Sequence, residues 1–157
     1  MSKVFVDSNL IVYTMDDREP EKRDRCRALL ASLKAPAQGA AADPLGVVST
    51  QVLQETYAVA TRKLHVDPLV ARETLRTLEL LEVVTITQRH IHEAIDCSIL
   101  NTISFWDALL VAAAASAHCE RLWTEDLNDG QTLLGVRIEN PLKEDRPQID
   151  QPVDSGQ

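Results

Sequence analysis

Four acidic residues of this 157-residue chain stand where a purely structural role is awkward. Asp7 follows directly on the apolar run Val4-Phe5-Val6, and Asp126 comes just after Leu122-Trp123-Thr124. Asp107 opens the most apolar helical stretch, within Ser104-Phe105-Trp106-Asp107-Ala108-Leu109. Glu55 lies one turn from Val52 and Val59, beside an apolar helix stripe, where partial burial is expected. An unpaired buried carboxylate is costly and usually needs a cation or several donors. Two carboxylates ~4 Å apart repel by roughly 4 kcal/mol at an effective dielectric near 20, so such a pocket must take up protons or a cation. Oxygen-only donors select Mg²⁺ or Mn²⁺ rather than zinc. That combination suits phosphodiester hydrolysis, in which a metal orients and acidifies a water and neutralises charge on the phosphate.

Convergence of the acids depends on the elements that carry them. Val4-Phe5-Val6 reads as a buried strand, followed by a short helix over Asn9–Tyr13. A helical period spans Glu21–Leu33, and the prolines and glycines of Ala35–Gly46 mark a loop. Val47–Ser49 is a second strand, and Ser49 or Thr50 can cap the helix that follows, whose stripe is Leu53, Tyr57, Ala60 and Leu64. Asp67-Pro68 places a cap and a first-turn proline on a helix with Val70, Leu75, Leu78 and Leu81 on its buried side. Val83–Thr87 reads as a strand. Helices are expected over Gln88–Leu100 and Ser104–His118, the second apolar nearly all round and therefore central. Leu122–Thr124 and Val136–Glu139 are the last strands, with a turn at Asn128-Asp129-Gly130. Strands alternating with helices predict a parallel sheet with helices on both faces. In such sheets ligands bind at the carboxyl ends of the strands, where Asp7 and Asp126 both lie.

The bulk composition is compatible with this reading. The length suits one domain able to bury its own core. Hydrophobic residues are 45% and charged residues 25% of the chain, ordinary for a globular protein. The net charge of −8 argues against a protein that coats nucleic acid by bulk electrostatics. A nuclease is compatible with it, because positive charge is needed only where phosphates lie and cations can supply part of it. Cys26, Cys97 and Cys119 are odd in number, widely spaced and without a Cys-x-x-Cys pair. They read as buried or free thiols of a reducing cytosol. The N-terminus lacks the apolar core of a signal peptide, and no apolar run reaches ~18 residues without a charge. The expected location is therefore cytoplasmic, with no membrane span.

Each acid also has a structural reading. Asp7-Ser8-Asn9 can cap a helix, and Ser104-x-x-Asp107 has the spacing of a capping box. Glu55 can be a solvated helix residue and Asp126 a turn residue. Their joint placement carries the functional reading. His65, His90, His92 and His118 lack the spacing of a zinc site. Arg62-Lys63 could meet RNA phosphates, but a solvated helix end is the default. A phosphotransferase with Asp7 as nucleophile would more naturally show Asp-x-Asp, whereas the third residue here is Asn9.

With these residues in place, the chain resembles the PIN-domain nucleases, especially the VapC-type toxins of prokaryotic toxin–antitoxin pairs. The matching pieces are Val6-Asp7-Ser8-Asn9, Ser49-Thr50-Gln51-Val52-Leu53-Gln54-Glu55, Phe105-Trp106-Asp107-Ala108-Leu109 and Trp123-Thr124-Glu125-Asp126-Leu127. Each is weak alone; in this order, from Lys3 to about Leu142, they are fairly specific. The resemblance implies an α/β/α sandwich and a Mg²⁺- or Mn²⁺-dependent endoribonuclease. It implies Asp7, Asp107 and Asp126 as metal ligands, with Glu55 as the fourth acid, a ligand directly or through water. Ser8 and Thr124 match small polar positions that support the site. A homodimer and a small inhibitory antitoxin are implied as partners. Asp129 competes with Asp126 for the last acidic role, and the Thr-x-Asp spacing favours Asp126. The competing class is a PIN-like binding scaffold with a weak or inactive site. The domain is expected over 1–142, with a flexible acidic, proline-containing tail over 143–157 outside the pattern.

Overall fold

The computed structural model describes residues 2–34 and 44–143. Except for Lys143, the expected tail lies outside them, as does most of the expected loop before Gly46. In chain order the elements are β1 (Val4–Val6), α1 (Ser8–Tyr13), α2 (Pro20–Ser32), β2 (Gly46–Ser49), α3 (Thr50–Arg62), α4 (Pro68–Leu78), β3 (Glu82–Val84), α5 (Gln88–Asn101), α6 (Phe105–Ser116), β4 (Arg121–Trp123), β5 (Thr132–Leu133) and β6 (Val136–Glu139).

The sheet has six strands in the order β3-β2-β1-β4-β6-β5. Every neighbouring pair is parallel except β5 with β6. The all-parallel sheet expected from the alternation of elements thus acquires one antiparallel edge strand, which is only two residues long. A two-residue connection joins it to β6, with Leu134 at φ 49° and Gly135 at φ 77°. Positive φ at both positions is the geometry that matches strand twist in a tight hairpin. One leucine in the left-handed region hides this turn from a search for Asn-Gly or Asp-Gly.

β1, β2 and β4 are apolar and almost wholly buried, as strands covered on both faces must be. α6 packs against β2, β4 and β6, with α5 lying on α6; α1 contacts α2 and α3, and α3 contacts α4. Residues Ala108 to Ala114 of α6 are buried without a break, so this is the central helix expected from its composition. Cys26, Cys97 and Cys119 are buried and free. Among the described residues no single helix is long and apolar enough to cross a membrane.

Two helix faces differ from expectation. On α3 the buried residues are Gln51, Val52, Thr56 and Ala60, while Tyr57 is exposed. The face is turned by one residue, because two polar side chains, Gln51 and Thr56, go inward. On α4 Ala71 and Leu78 are buried and Val70 is exposed, so a small residue makes the close contact expected of the valine. β3 also stops at Val84 rather than Thr87, because Thr87 serves as the N-cap of α5 in a box closed by the His90 side chain.

Candidate active site

The chain runs from β1 to β2 and β3 on one side, then returns to place β4 on the other side of β1. A crevice opens where strand order reverses in this way, outside the carboxyl ends of β1 and β4. The Asp7 N–H donates to the Trp123 carbonyl at 3.0 Å, pinning the two strand ends together. Asp7 therefore leaves β1 at the carboxyl ends of these two strands, and Thr124-Glu125-Asp126 leave β4 beside it.

Asp7 is 2% exposed. Its Oδ1 accepts from the Ser8 N–H at 2.6 Å, capping α1, and its Oδ2 accepts from the Thr124 hydroxyl at 2.8 Å. Burial raises the Asp7 carboxyl to about 6, further supported by the charges of Asp126 and Glu55; the bonds from Thr124 and Ser8 act the other way but are outweighed. The capping reading of Asp7 is thus realised by one oxygen of a buried carboxyl.

Glu55 projects from α3 because Ser49 caps that helix, accepting from the Val52 N–H at 3.4 Å, and sets its phase. The carboxylate is held from both sides: the Ser8 hydroxyl donates to Oε2 at 2.9 Å and the Gln51 amide donates to Oε1 at 3.0 Å. The same Gln51 nitrogen donates to the Trp106 carbonyl at 3.2 Å, tying α3 to the first turn of α6. Asp107 lies in that turn, where its N–H donates to the capping Ser104 hydroxyl at 3.1 Å. The cap thus uses the Asp107 backbone; among the described residues its carboxylate makes no hydrogen bond.

Of the four acids Asp7 is buried, Glu55 is half-buried as its place beside the apolar stripe predicts, Asp107 is half-buried at the start of its apolar helix, and Asp126 is exposed. Its N–H donates to the Thr124 hydroxyl oxygen at 3.1 Å, and its Oδ2 accepts from Asn9 at 3.5 Å. Partial burial raises its carboxyl, followed by the charges of Asp107, Glu125 and Glu55. Asp7, Glu55, Asp107 and Asp126 thus share one electrostatic neighbourhood. Asp129 faces elsewhere: it accepts from the Asn140 N–H at 2.8 Å and lies 3.8 Å from the Lys143 ammonium.

Two polar residues of this neighbourhood went without a role in the sequence reading, Gln51 and Asn9. Gln51 precedes Glu55 by four positions, so both occupy one helix face, and that spacing was the available signal. Asn9 offered none beyond its place after Asp7-Ser8. Arg62 and Lys63 are exposed at the end of α3, about 10 Å from Glu55 by helix rise. Another cation is Lys22, 3.3 Å from Glu125 and 3.9 Å above the Tyr13 ring, whose hydroxyl donates to Glu125 at 2.6 Å. Burial pushes Cys26 up to about 11 and Cys119 up to about 12, so neither thiol is poised as a nucleophile.

The donors fit a hard divalent cation in chemistry: all are oxygens and their mutual repulsion is what a cation relieves. Gln51 Oε1 is buried with no hydrogen-bond partner among the described residues, an acceptor that an ordered water would satisfy. Among the described residues, however, no three His, Cys, Asp or Glu side chains stand in a geometry that could hold a metal ion. Mg²⁺ commonly keeps several waters and takes only one or two carboxylates directly, a mode this arrangement permits.

The fold is shared with solved toxin structures. Mycobacterium tuberculosis VapC20, a sarcin–ricin loop cleaving toxin, aligns with a TM-score of 0.64 at 20% identity over 86% of this chain and 99% of that one. A toxin–antitoxin complex from Klebsiella pneumoniae aligns at 0.60 and 20% identity, over 86% and 95% of the two chains. VapBC2 from Rickettsia felis, bound to a DNA fragment from its promoter, aligns at 0.57 and 16% identity, over 87% and 97%. At these identities the likeness is one of fold. No curated protein matches the sequence. The PIN domain pattern matches residues 4–128, from the first strand past the last of the four acids. By that match the chain belongs to the PIN domain family, and its fold is that of the VapC-type toxins.

Proposed function

We propose that this protein is a Mg²⁺- or Mn²⁺-dependent endoribonuclease, the toxin of a toxin–antitoxin pair, with Asp7, Glu55, Asp107 and Asp126 as its working acids. One observation carries the reading: a buried carboxyl raised to about 6 faces two further acids at the switch point of the sheet. Membership of the PIN family and the toxin character of the neighbours support it.

Asp7, Asp107 and Asp126 would hold the cation, with Glu55 joining directly or through water. The bound cation would acidify a water and offset charge on the phosphate. Thr124 orients Asp7 and, by accepting the Asp126 N–H, fixes the start of the turn that carries Asp126. Ser8 and Gln51 hold Glu55 in one rotamer, so that its carboxylate can take a proton from the attacking water. Asp129 is a fold residue in this scheme.

A cognate antitoxin is the expected partner, since structural neighbours are toxin–antitoxin assemblies. A homodimer is the expected assembly; Ile91, Ile95 and Ile99 form an exposed apolar stripe along α5 of the kind that a second copy covers.

The competing scaffold reading draws on the absence of a preformed three-acid metal geometry among the described residues. Asp7→Asn separates the two. It keeps the side-chain volume and removes the charge, so RNA cleavage in Mg²⁺ or Mn²⁺ should be lost while circular dichroism is unchanged. Full cleavage by the variant would sink the proposal, and a wild-type protein that neither cleaves RNA nor responds to either metal would leave the scaffold.

A further inference from the structure

Aromatic residues are only 4% of this chain. Phe5 is fully buried, and Trp123 is 7% exposed. Two others are exposed, Tyr57 at 41% and, more fully, Trp106 at 63%, beside Asp107 in the first turn of α6.

The residue is anchored despite its exposure. Its carbonyl accepts the Gln51 bond that also serves Glu55, and the Phe105 ring meets its indole edge-on at 5.1 Å between centroids. Ser104 caps the turn. A large apolar ring is thus held in solvent on the backbone that carries one acid, tied through a single amide to another. The same Gln51 side chain carries the buried oxygen that lacks a donor. Trp106 is the chain neighbour of Asp107, so whatever covers the indole lies at the same end of α6 as that acid.

We propose that Trp106 is a stacking platform for a base of single-stranded RNA, holding the adjoining phosphate over the acids. This rests on the nuclease reading above and adds a positioning residue to it. Unpaired bases stack on aromatic faces, whereas a duplex hides those faces within its own stack. Stacking is tolerant of base identity, so Trp106 selects unpaired strand rather than a sequence. A protein surface is the other cover; the place of Trp106 beside Asp107 in the first turn of α6 favours the strand that the acids would cut. Trp106 is a positioning residue, since it touches substrate away from the reacting atoms.

Oligoadenylate titrated in Mg²⁺ into the Asp7→Asn variant, which binds the strand without cutting it, should quench tryptophan fluorescence. Trp123 is nearly inaccessible, so the quench reports Trp106. An RNA duplex should quench little. Adding Trp106→Ala should weaken oligoadenylate binding, read by anisotropy, roughly tenfold or more, while Trp106→Phe should restore most of it. In the active protein Trp106→Ala should raise KM for single-stranded RNA and leave kcat nearly unchanged. No quench, or unchanged affinity in the alanine variant, overturns the proposal. So does an alanine variant whose affinity is intact but whose oligomeric state changes, which makes Trp106 part of a protein interface. Quenching by a wild-type protein that never cleaves RNA would uphold the platform and sink the nuclease reading; cleavage with an indifferent Trp106 would do the reverse.

Discussion

The hydroxyl of Thr124 donates to Asp7 Oδ2 at 2.8 Å and accepts the N–H of Asp126 at 3.1 Å. One small side chain, wholly buried, thereby links the acid at the end of β1 to the acid beyond the end of β4. Replacing Thr124 by valine keeps the shape and deletes both bonds. A hydrogen bond to a charged group contributes about 1.5–3 kcal/mol, so the Asp7 carboxyl should rise further. The acidic limb of the pH–rate profile should then move up by about one pH unit or more. If Asp7 holds the cation as proposed, cleavage at neutral pH should fall roughly 10- to 100-fold, the usual cost of losing a partner that orients a metal ligand. An unmoved limb would mean that Thr124 serves folding alone.

Asp7 should also make stability depend on pH. Its folded-state carboxyl is near 6 against an ordinary 3.8, so between those values the folded chain binds more protons than the unfolded one. Stability is therefore lost as pH rises through that window, by on the order of 3 kcal/mol in the absence of cation. In Asp7→Asn this contribution vanishes. The Tm of the variant minus that of wild type, measured in EDTA, should grow between about pH 4.5 and about pH 7. A constant difference would contradict the burial and coupling of Asp7.

A cation should reverse that loss. Mg²⁺ or Mn²⁺ at about 100 times its Kd stabilises the folded state by about 2.7 kcal/mol, which for a chain of this size is several degrees in Tm. The rise should be larger at about pH 7.5 than at about pH 5, where protons occupy Asp7. An equal rise at both, or none, would show that Asp7 is not where the metal binds.

Asp126 and Asp129 should separate cleanly. Asp126→Asn should abolish cleavage with little change in Tm, since the side chain is exposed and its one hydrogen bond, from Asn9, is 3.5 Å long. Asp129→Asn should keep cleavage and lower Tm, because its carboxylate accepts from the Asn140 N–H and faces Lys143. The opposite pair of results would exchange their roles.

Much of this molecule follows from local sequence. The apolar strands around Asp7 and Asp126, the Asp67-Pro68 and Ser104 caps, and the all-apolar α6 are short-range consequences of residue type, and each forms where its pattern places it. Family membership was legible for the same reason, because the resemblance rested on short local runs, all of them within the matched residues 4–128. What lies between elements was not. The antiparallel β5 is only two residues long and turns on a left-handed leucine, and the inward faces of α3 and α4 are chosen by their neighbours. The electrostatics of the acids belong to the tertiary structure too. Sequence treats Asp7 and Asp126 as equivalent strand-end acids, whereas the sheet buries one beneath Thr124 and leaves the other in solvent. Desolvation depends on everything packed around a group, which is why the cap that Asp7 makes could be read locally and its raised carboxyl could not.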